Sequence, residues 1–119
     1  MTNYRILAAD GVSPKGIAVL TDSPHFQVET VSGGLKEDEL IAKIADIDAL
    51  VIRSATKVTA KALAAATRLK VIGRAGVGVD NVNVEAATER GIVVMNTPGG
   101  NTISTAEQTF SLLLSLART

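Results

Sequence analysis

The sequence predicts an α/β fold, an open parallel sheet with helices on both faces, and three observations carry that expectation. Short apolar runs rich in β-branched residues recur along the chain. Helical patterns with recognisable capping residues separate these runs. The 119 residues are 46% hydrophobic, which suffices for one compact domain with its own core.

Residues 5–9, 26–31, 49–53, 70–74 and 92–95 read as the strands. After the first, Ser13 followed by Pro14 reads as an N-cap and a proline in the first helical turn. Gly33 and Gly34 read as a turn before a second helix over about residues 36–45, which places Leu40, Ile41 and Ile44 on one face. Thr59 is positioned to cap an alanine-rich helix over residues 60–69, and a fourth helix starts near Asn83 and stops before Gly91. Strands joined by crossover helices pair in parallel with right-handed connections, so the specific expectation is a flavodoxin-like arrangement.

Pro98-Gly99-Gly100 then interrupts the pattern as a hinge, and Ser104 with Glu107 has capping-box spacing for a last helix. Ile103, Ala106, Phe110, Leu113, Leu114 and Ala117 form its apolar stripe. Leu112 and Leu116 widen that stripe, so the helix is expected to find neighbours on two sides, by redocking or by self-association. The pattern runs almost to Thr119, and the chain is expected to be a piece of a longer protein.

Twelve basic residues balance twelve acidic ones, which removes any net field toward nucleic acid or an anionic membrane and leaves a small molecule as the expected partner. With no cysteine there is no thiol nucleophile, disulfide or thiolate metal site. No apolar stretch approaches the roughly 20 residues of a membrane span or the core of a signal peptide, so the expected address is the cytoplasm.

The segment Gly73-Arg74-Ala75-Gly76-Val77-Gly78-Val79-Asp80-Asn81 joins a strand to a helix. Its register from Gly76 is G-x-G-x-x-N, and about 20 residues on stands Asn96 rather than an acid, so it does not satisfy the dinucleotide fingerprint. Two readings remain: a tight turn without a ligand, or a nest of backbone amides for a carboxylate, with the glycines supplying unusual backbone conformations and close approach. Arg53 and Arg74 both end strands at the carboxyl edge of the sheet, where their forked donors suit a doubly anionic ligand. Thr105 and the stretch from Asn96 to Thr102 serve either capping or ligand contact at the same edge. Asp10 is a polar edge residue or a loop acceptor, and His25, the only histidine, belongs to a surface turn at the opposite edge.

The runs Arg53-Ser54-Ala55-Thr56-Lys57-Val58, Gly73 to Val82 and Val94-Met95-Asn96-Thr97-Pro98-Gly99-Gly100-Asn101 resemble, in order, the D-isomer-specific 2-hydroxyacid dehydrogenase family in its D-3-phosphoglycerate dehydrogenase branch. The resemblance implies two flavodoxin- and Rossmann-like domains with the active site between them, NAD as cofactor and 3-phosphoglycerate as substrate at the first step of serine biosynthesis. It divides this chain into a substrate-binding domain, residues 1–98, and a hinge and crossover helix, residues 99–119, toward a nucleotide-binding domain. By the same resemblance Arg53, Ser54 and Arg74 face the phosphate side of the substrate, the amides of Gly76, Val77 and Gly78 its carboxylate, and Asn101 lines the cleft. Val77 and Thr105 are the implied cofactor contacts, although Val77 lacks the hydroxyl that some relatives carry there. The family's catalytic arginine, acid and histidine and its G-x-G-x-x-G segment come from later sequence, so this chain alone is expected to be inactive.

Competing readings are a noncatalytic flavodoxin-like module or a corepressor-type family member. A signalling receiver needs an acidic phosphoacceptor after the third strand, where Arg53-Ser54 stands. A flavin carrier needs aromatic stacking partners, and the only aromatics are Tyr4, Phe26 and Phe110, all at core positions of strands or a helix.

Overall fold

The computed structural model describes residues 3–76, 78, 80–97 and 102–117. Five strands, β1 (Tyr4–Ala8), β2 (Phe26–Thr30), β3 (Ala49–Ile52), β4 (Val71–Arg74) and β5 (Val93–Asn96), alternate with α1 (Pro14–Thr21), α2 (Glu37–Ile44), α3 (Ala60–Ala64), α4 (Val84–Glu89) and α5 (Thr102–Ala117). The sheet is parallel throughout in the order β2-β1-β3-β4-β5. This is the expected open, doubly covered α/β arrangement, and strand limits agree with the sequence reading to about one residue.

Side-chain alternation along the strands divides the core in two. Leu7, Leu50, Ile52 and Ile72 pack with Leu40 and Ile44 of α2 and Leu63 of α3 on one face. Ile6, Ala8, Ala49, Val51 and Val71 pack with Leu20 of α1 and Ala106 and Leu113 of α5 on the other. Every residue of β3 and β4 is buried, as the apolar character of those runs requires of strands covered on both faces.

The caps fall where the sequence places them. Ser13 Oγ accepts from Gly16 N–H, Thr59 Oγ1 from Ala62 N–H and Asn83 Oδ1 from Ala86 N–H. Two helices differ from expectation. The helix expected over residues 60–69 ends at Ala64, because the N–H groups of Ala65 and Ala66 turn to carbonyls three residues back, and Ala66 and Leu69 drop into the core to lead into β4. The chain is already helical at Thr102, so Ser104 lies inside α5 rather than at its N-cap, where the capping-box reading puts it. Leu116 and Ala117 fall on side chains, and Pro98-Gly99-Gly100 on residues, outside those described.

α5 lies beside α1 and over β4. Its buried line is Thr105, Ala106, Thr109 and Leu113, with Phe110 and Leu112 partly buried beside it. The face toward the sheet is thus rotated toward two threonines relative to the apolar stripe. Thr109 Oγ1 donates to the carbonyl of Thr105, and the Thr105 hydroxyl pairs with that of Thr97 at the end of β5. Phe110 reaches Phe26 edge-on at 5.3 Å between ring centroids.

This close crossing explains Gly73 in the middle of β4. A Cβ there would stand 2.9 Å from Thr105 Cγ2 and 2.9 Å from Thr109 Oγ1. Gly73→Ala is therefore expected to push α5 off the sheet or strain β4, at a cost of about 1–3 kcal/mol in unfolding free energy. Denaturant titration measures it, and an unchanged midpoint would show that α5 does not pack on β4 as described.

Candidate functional site

The strand order reverses between β1 and β3, because the chain runs from β1 outward to β2 and returns to build β3, β4 and β5 on the other side. Loops leaving two neighbouring strands in opposite directions open a crevice at their carboxyl ends, the usual ligand position in such sheets. Asp10 and Gly11 leave β1 at this point and Arg53 to Lys57 leave β3. Ala75 and Gly76 leave β4 alongside, and an isolated bridge between Val58 and Val82 ties the stretch after β4 to the β3 loop.

Arg53 is exposed and makes no ion pair among the described residues. Its backbone is held firmly. The Asp10 carboxylate accepts from Arg53 N–H at 2.8 Å, from Thr56 N–H at 3.1 Å and from Thr56 Oγ1 at 2.5 Å. Asn81 Nδ2 donates to the carbonyls of Arg53 at 2.8 Å and Thr56 at 2.7 Å. Thr56 is fully buried and its hydroxyl also accepts from Leu35 N–H at 3.0 Å. Ser54 and Ala55, between the two clamped residues, are exposed, and their N–H groups have no protein partner among the described residues.

Arg74 is placed differently. As the last residue of β4 it is only 9% exposed, and its guanidinium donates to the carbonyl of Gly78 and lies 3.9 Å from the exposed Asp80 carboxylate. Its Nε is buried without a partner among the described residues. A Cβ on Gly76 would come within 2.5 Å of Arg74 Nη1, so the glycine makes room for the guanidinium. Of the two uses expected of these glycines, close approach is seen at Gly76, whereas a positive φ is not. The positive φ angles among the described residues belong to Asp10, Gly11 and Gly91.

Gly76 and Gly78 thus lie at the edge with Arg53 and Ser54, while Val77 and Asn101 fall outside the described residues. Thr105, the other implied cofactor contact, is fully buried with its hydroxyl committed to Thr97. The described residues do not fit a dinucleotide, since the loop from β4 closes around its own arginine and Thr105 has no exposed face. His25 lies at the amino edge, its carbonyl accepting from Tyr4 N–H and its own N–H donating to Ser23 Oγ. Among the described residues no helix is long and apolar enough to cross a membrane.

Sequence reasoning left Asp10 open and read Gly34 only as a turn. Of the two readings of Asp10, the loop acceptor is the one found: it is the central acceptor of the β3 loop. Gly34 is more than a turn residue, because a Cβ there would stand 2.8 Å from the Cβ of Ala55 and press on the same loop.

Residues 6–117 match the family model described as D-isomer specific 2-hydroxyacid dehydrogenase, catalytic domain. The sequence is 47% identical over 117 residues, 98% of the chain, to a D-3-phosphoglycerate dehydrogenase of Synechocystis sp.. It is 50% identical over 114 residues, 96% of the chain, to a D-3-phosphoglycerate dehydrogenase of Methanocaldococcus jannaschii. The chain spans 21% of the length of each of these relatives. Among solved structures it resembles the cofactor(NAD+)-bound 3-phosphoglycerate dehydrogenase of Entamoeba histolytica, with a TM-score of 0.72 and 31% identity over 82% of this chain and 34% of that one.

Proposed function

Because the chain belongs to the D-isomer specific 2-hydroxyacid dehydrogenase family, we propose that it forms the substrate-binding part of an NAD-dependent D-3-phosphoglycerate dehydrogenase. Its similarity to D-3-phosphoglycerate dehydrogenases favours this member of the family. The observation that carries the reading is Arg53, an exposed guanidinium without an ion pair among the described residues, on a loop clamped at the strand-order reversal. A phosphate dianion needs positive charge and several donors converging from one side. Arg53, with the N–H groups of Ser54 and Ala55, supplies both, and Lys57 adds a second exposed charge to the same loop.

Arg74 has a different part in this reading. Its guanidinium is held beside Gly78 and Asp80, so in the proposal it contributes fixed positive potential at the crevice, next to the glycines assigned to the substrate carboxylate. Val77 and Asn101 stay in the proposal as a backbone carboxylate contact and a cleft residue. Oxidation of a 2-hydroxy acid requires a hydride acceptor and a base for the hydroxyl proton. Neither role fits a described residue, since His25 sits at the opposite edge. The proposed division of labour gives residues 1–98 the substrate, gives residues 99–119 the connection to a nucleotide-binding domain, and assigns NAD to sequence beyond this chain.

Two outcomes follow. Calorimetry should detect weak binding of inorganic phosphate and of 3-phosphoglycerate, reduced at least about tenfold by Arg53→Ala and further by the Arg53→Ala, Arg74→Ala double substitution. Binding that survives both substitutions unchanged would mean that the anion site lies elsewhere. The pure chain should also form no reduced nicotinamide from NAD and 3-phosphoglycerate, and turnover abolished by Arg53→Ala would contradict the assignment of chemistry to other sequence.

A further inference from the structure

We infer that Asp10 and Asn81 are positioning residues for the anion-gripping loop, fixing residues 53–56 and thereby where Arg53 presents its charge. This rests on the substrate-binding reading of Arg53 above and names what makes that reading geometrically exact enough to discriminate ligands.

The clamp has a definite form. At both ends of the loop, Arg53 and Thr56, the N–H goes to one outside side chain, Asp10, and the carbonyl to another, Asn81. Asp10 arrives from the end of β1 and Asn81 from the loop after β4, so the β3 loop is gripped from the strands on either side of it. Asp10 reaches this position from a left-handed backbone conformation, φ 63°, followed by Gly11 at φ 65°. Aspartate and asparagine tolerate that region better than other non-glycine residues. Gly34 forms a further wall, where any side chain would collide with Ala55.

At buried Thr56 the polar groups need protein partners, but at exposed Arg53 they do not. There water would satisfy the amide and carbonyl, and a side chain 43 residues away in sequence is a costly substitute in ordering entropy. A carboxylate is also an unfavourable neighbour for a bound anion. Its negative charge is offset here by three donors from the loop, bonds of the charge-assisted kind that are shorter and stronger than neutral ones. The result is a loop with a single geometry, in which the Arg53 and Thr56 amides are engaged while those of Ser54 and Ala55 have no protein partner among the described residues. The clamp therefore sorts the loop's donors into those that hold shape and those that face a ligand.

The test titrates inorganic phosphate into the chain by calorimetry and records backbone ¹⁵N order parameters for residues 53–56 in the same variants. Asp10→Asn keeps side-chain size and tolerance of the left-handed conformation while removing the charge and one acceptor. It should weaken phosphate binding about tenfold and lower the order parameters of Arg53, Ser54 and Ala55, with β3 itself unchanged and the melting temperature little moved. Asn81→Ala should do the same, and it carries the test if Asp10→Asn fails to fold. A purely structural role predicts the reverse, a lower melting temperature with unchanged affinity in the folded protein, and that result overturns the inference. So does unchanged loop order in both variants. If Arg53→Ala abolishes binding while Asp10→Asn and Asn81→Ala do not weaken it, the positioning role falls and the substrate-site reading stands. If the unaltered chain binds no phosphate, or binds it regardless of Arg53, the site reading falls and takes this inference with it.

Discussion

Burial of both faces of the central strands is the constraint from which the arrangement of this chain follows. β3 and β4 have no exposed residue, and β1 has only Arg5. Polar side chains are therefore expelled from the sheet to its two ends, and any chemistry has to be built from the loops that leave it. At the amino end Asp48 is spent on structure, accepting from Arg5 N–H and from Arg68. At the carboxyl end Asp10, Arg53, Thr56, Arg74 and Asn81 meet at the point where the strand order reverses. The fold determines where a site is available, and the residue types gathered there are those the proposed anion site draws on.

The same constraint shapes α5. To cover β4 the helix has to approach closely, and Gly73 removes the Cβ that would otherwise meet Thr105 and Thr109. The contact this permits is partly polar, since both threonines are fully buried with their hydroxyls engaged. Apolar anchoring comes from Leu113 and Ala106, with Phe110 against Phe26. Full burial of a leucine side chain contributes about 1.5–3 kcal/mol, so Leu113 is a large share of what keeps this helix on the sheet. A helix held by a few apolar side chains beside a hydroxyl seam has a smaller hydrophobic hold than the apolar stripe alone suggests.

The sheet, its strand limits and the caps at Ser13, Thr59 and Asn83 were legible because they are set by neighbours a few residues away. What the sequence reading left open or missed shares an opposite cause. Asp10 acquires its role from partners 43 and 46 residues distant, and Gly34 from Ala55 across the β1–β3 boundary. Ser104 and Glu107 had the spacing of a capping box, yet the start of α5 is determined elsewhere, since the chain is already helical at Thr102. The tail of α3 read as helix on alanine propensity, but Leu69 had to enter the core and lead into β4. The two arginines were legible as edge residues from strand periodicity, whereas their difference in exposure was not, because it depends on how the β4 loop folds around one of them.

That difference bears on how glycine-rich segments are read. Gly73 and Gly76 belong to one run that invites comparison with nucleotide loops, but each answers a packing demand within the chain. Gly73 admits a helix and Gly76 admits the head of Arg74. Neither has the positive φ that would by itself account for glycine. A glycine-rich turn after a strand is thus compatible with two opposite uses of the same missing side chain: to let a ligand approach the backbone, or to let the protein's own groups fill that space. What separates them is which atom stands where the Cβ would be, and for Gly76 it is a guanidinium nitrogen whose charge is placed within the loop. In the proposed site an anion would meet a positive potential from an arginine it need not touch, and a second arginine, on the neighbouring loop, whose guanidinium is free among the described residues to touch it.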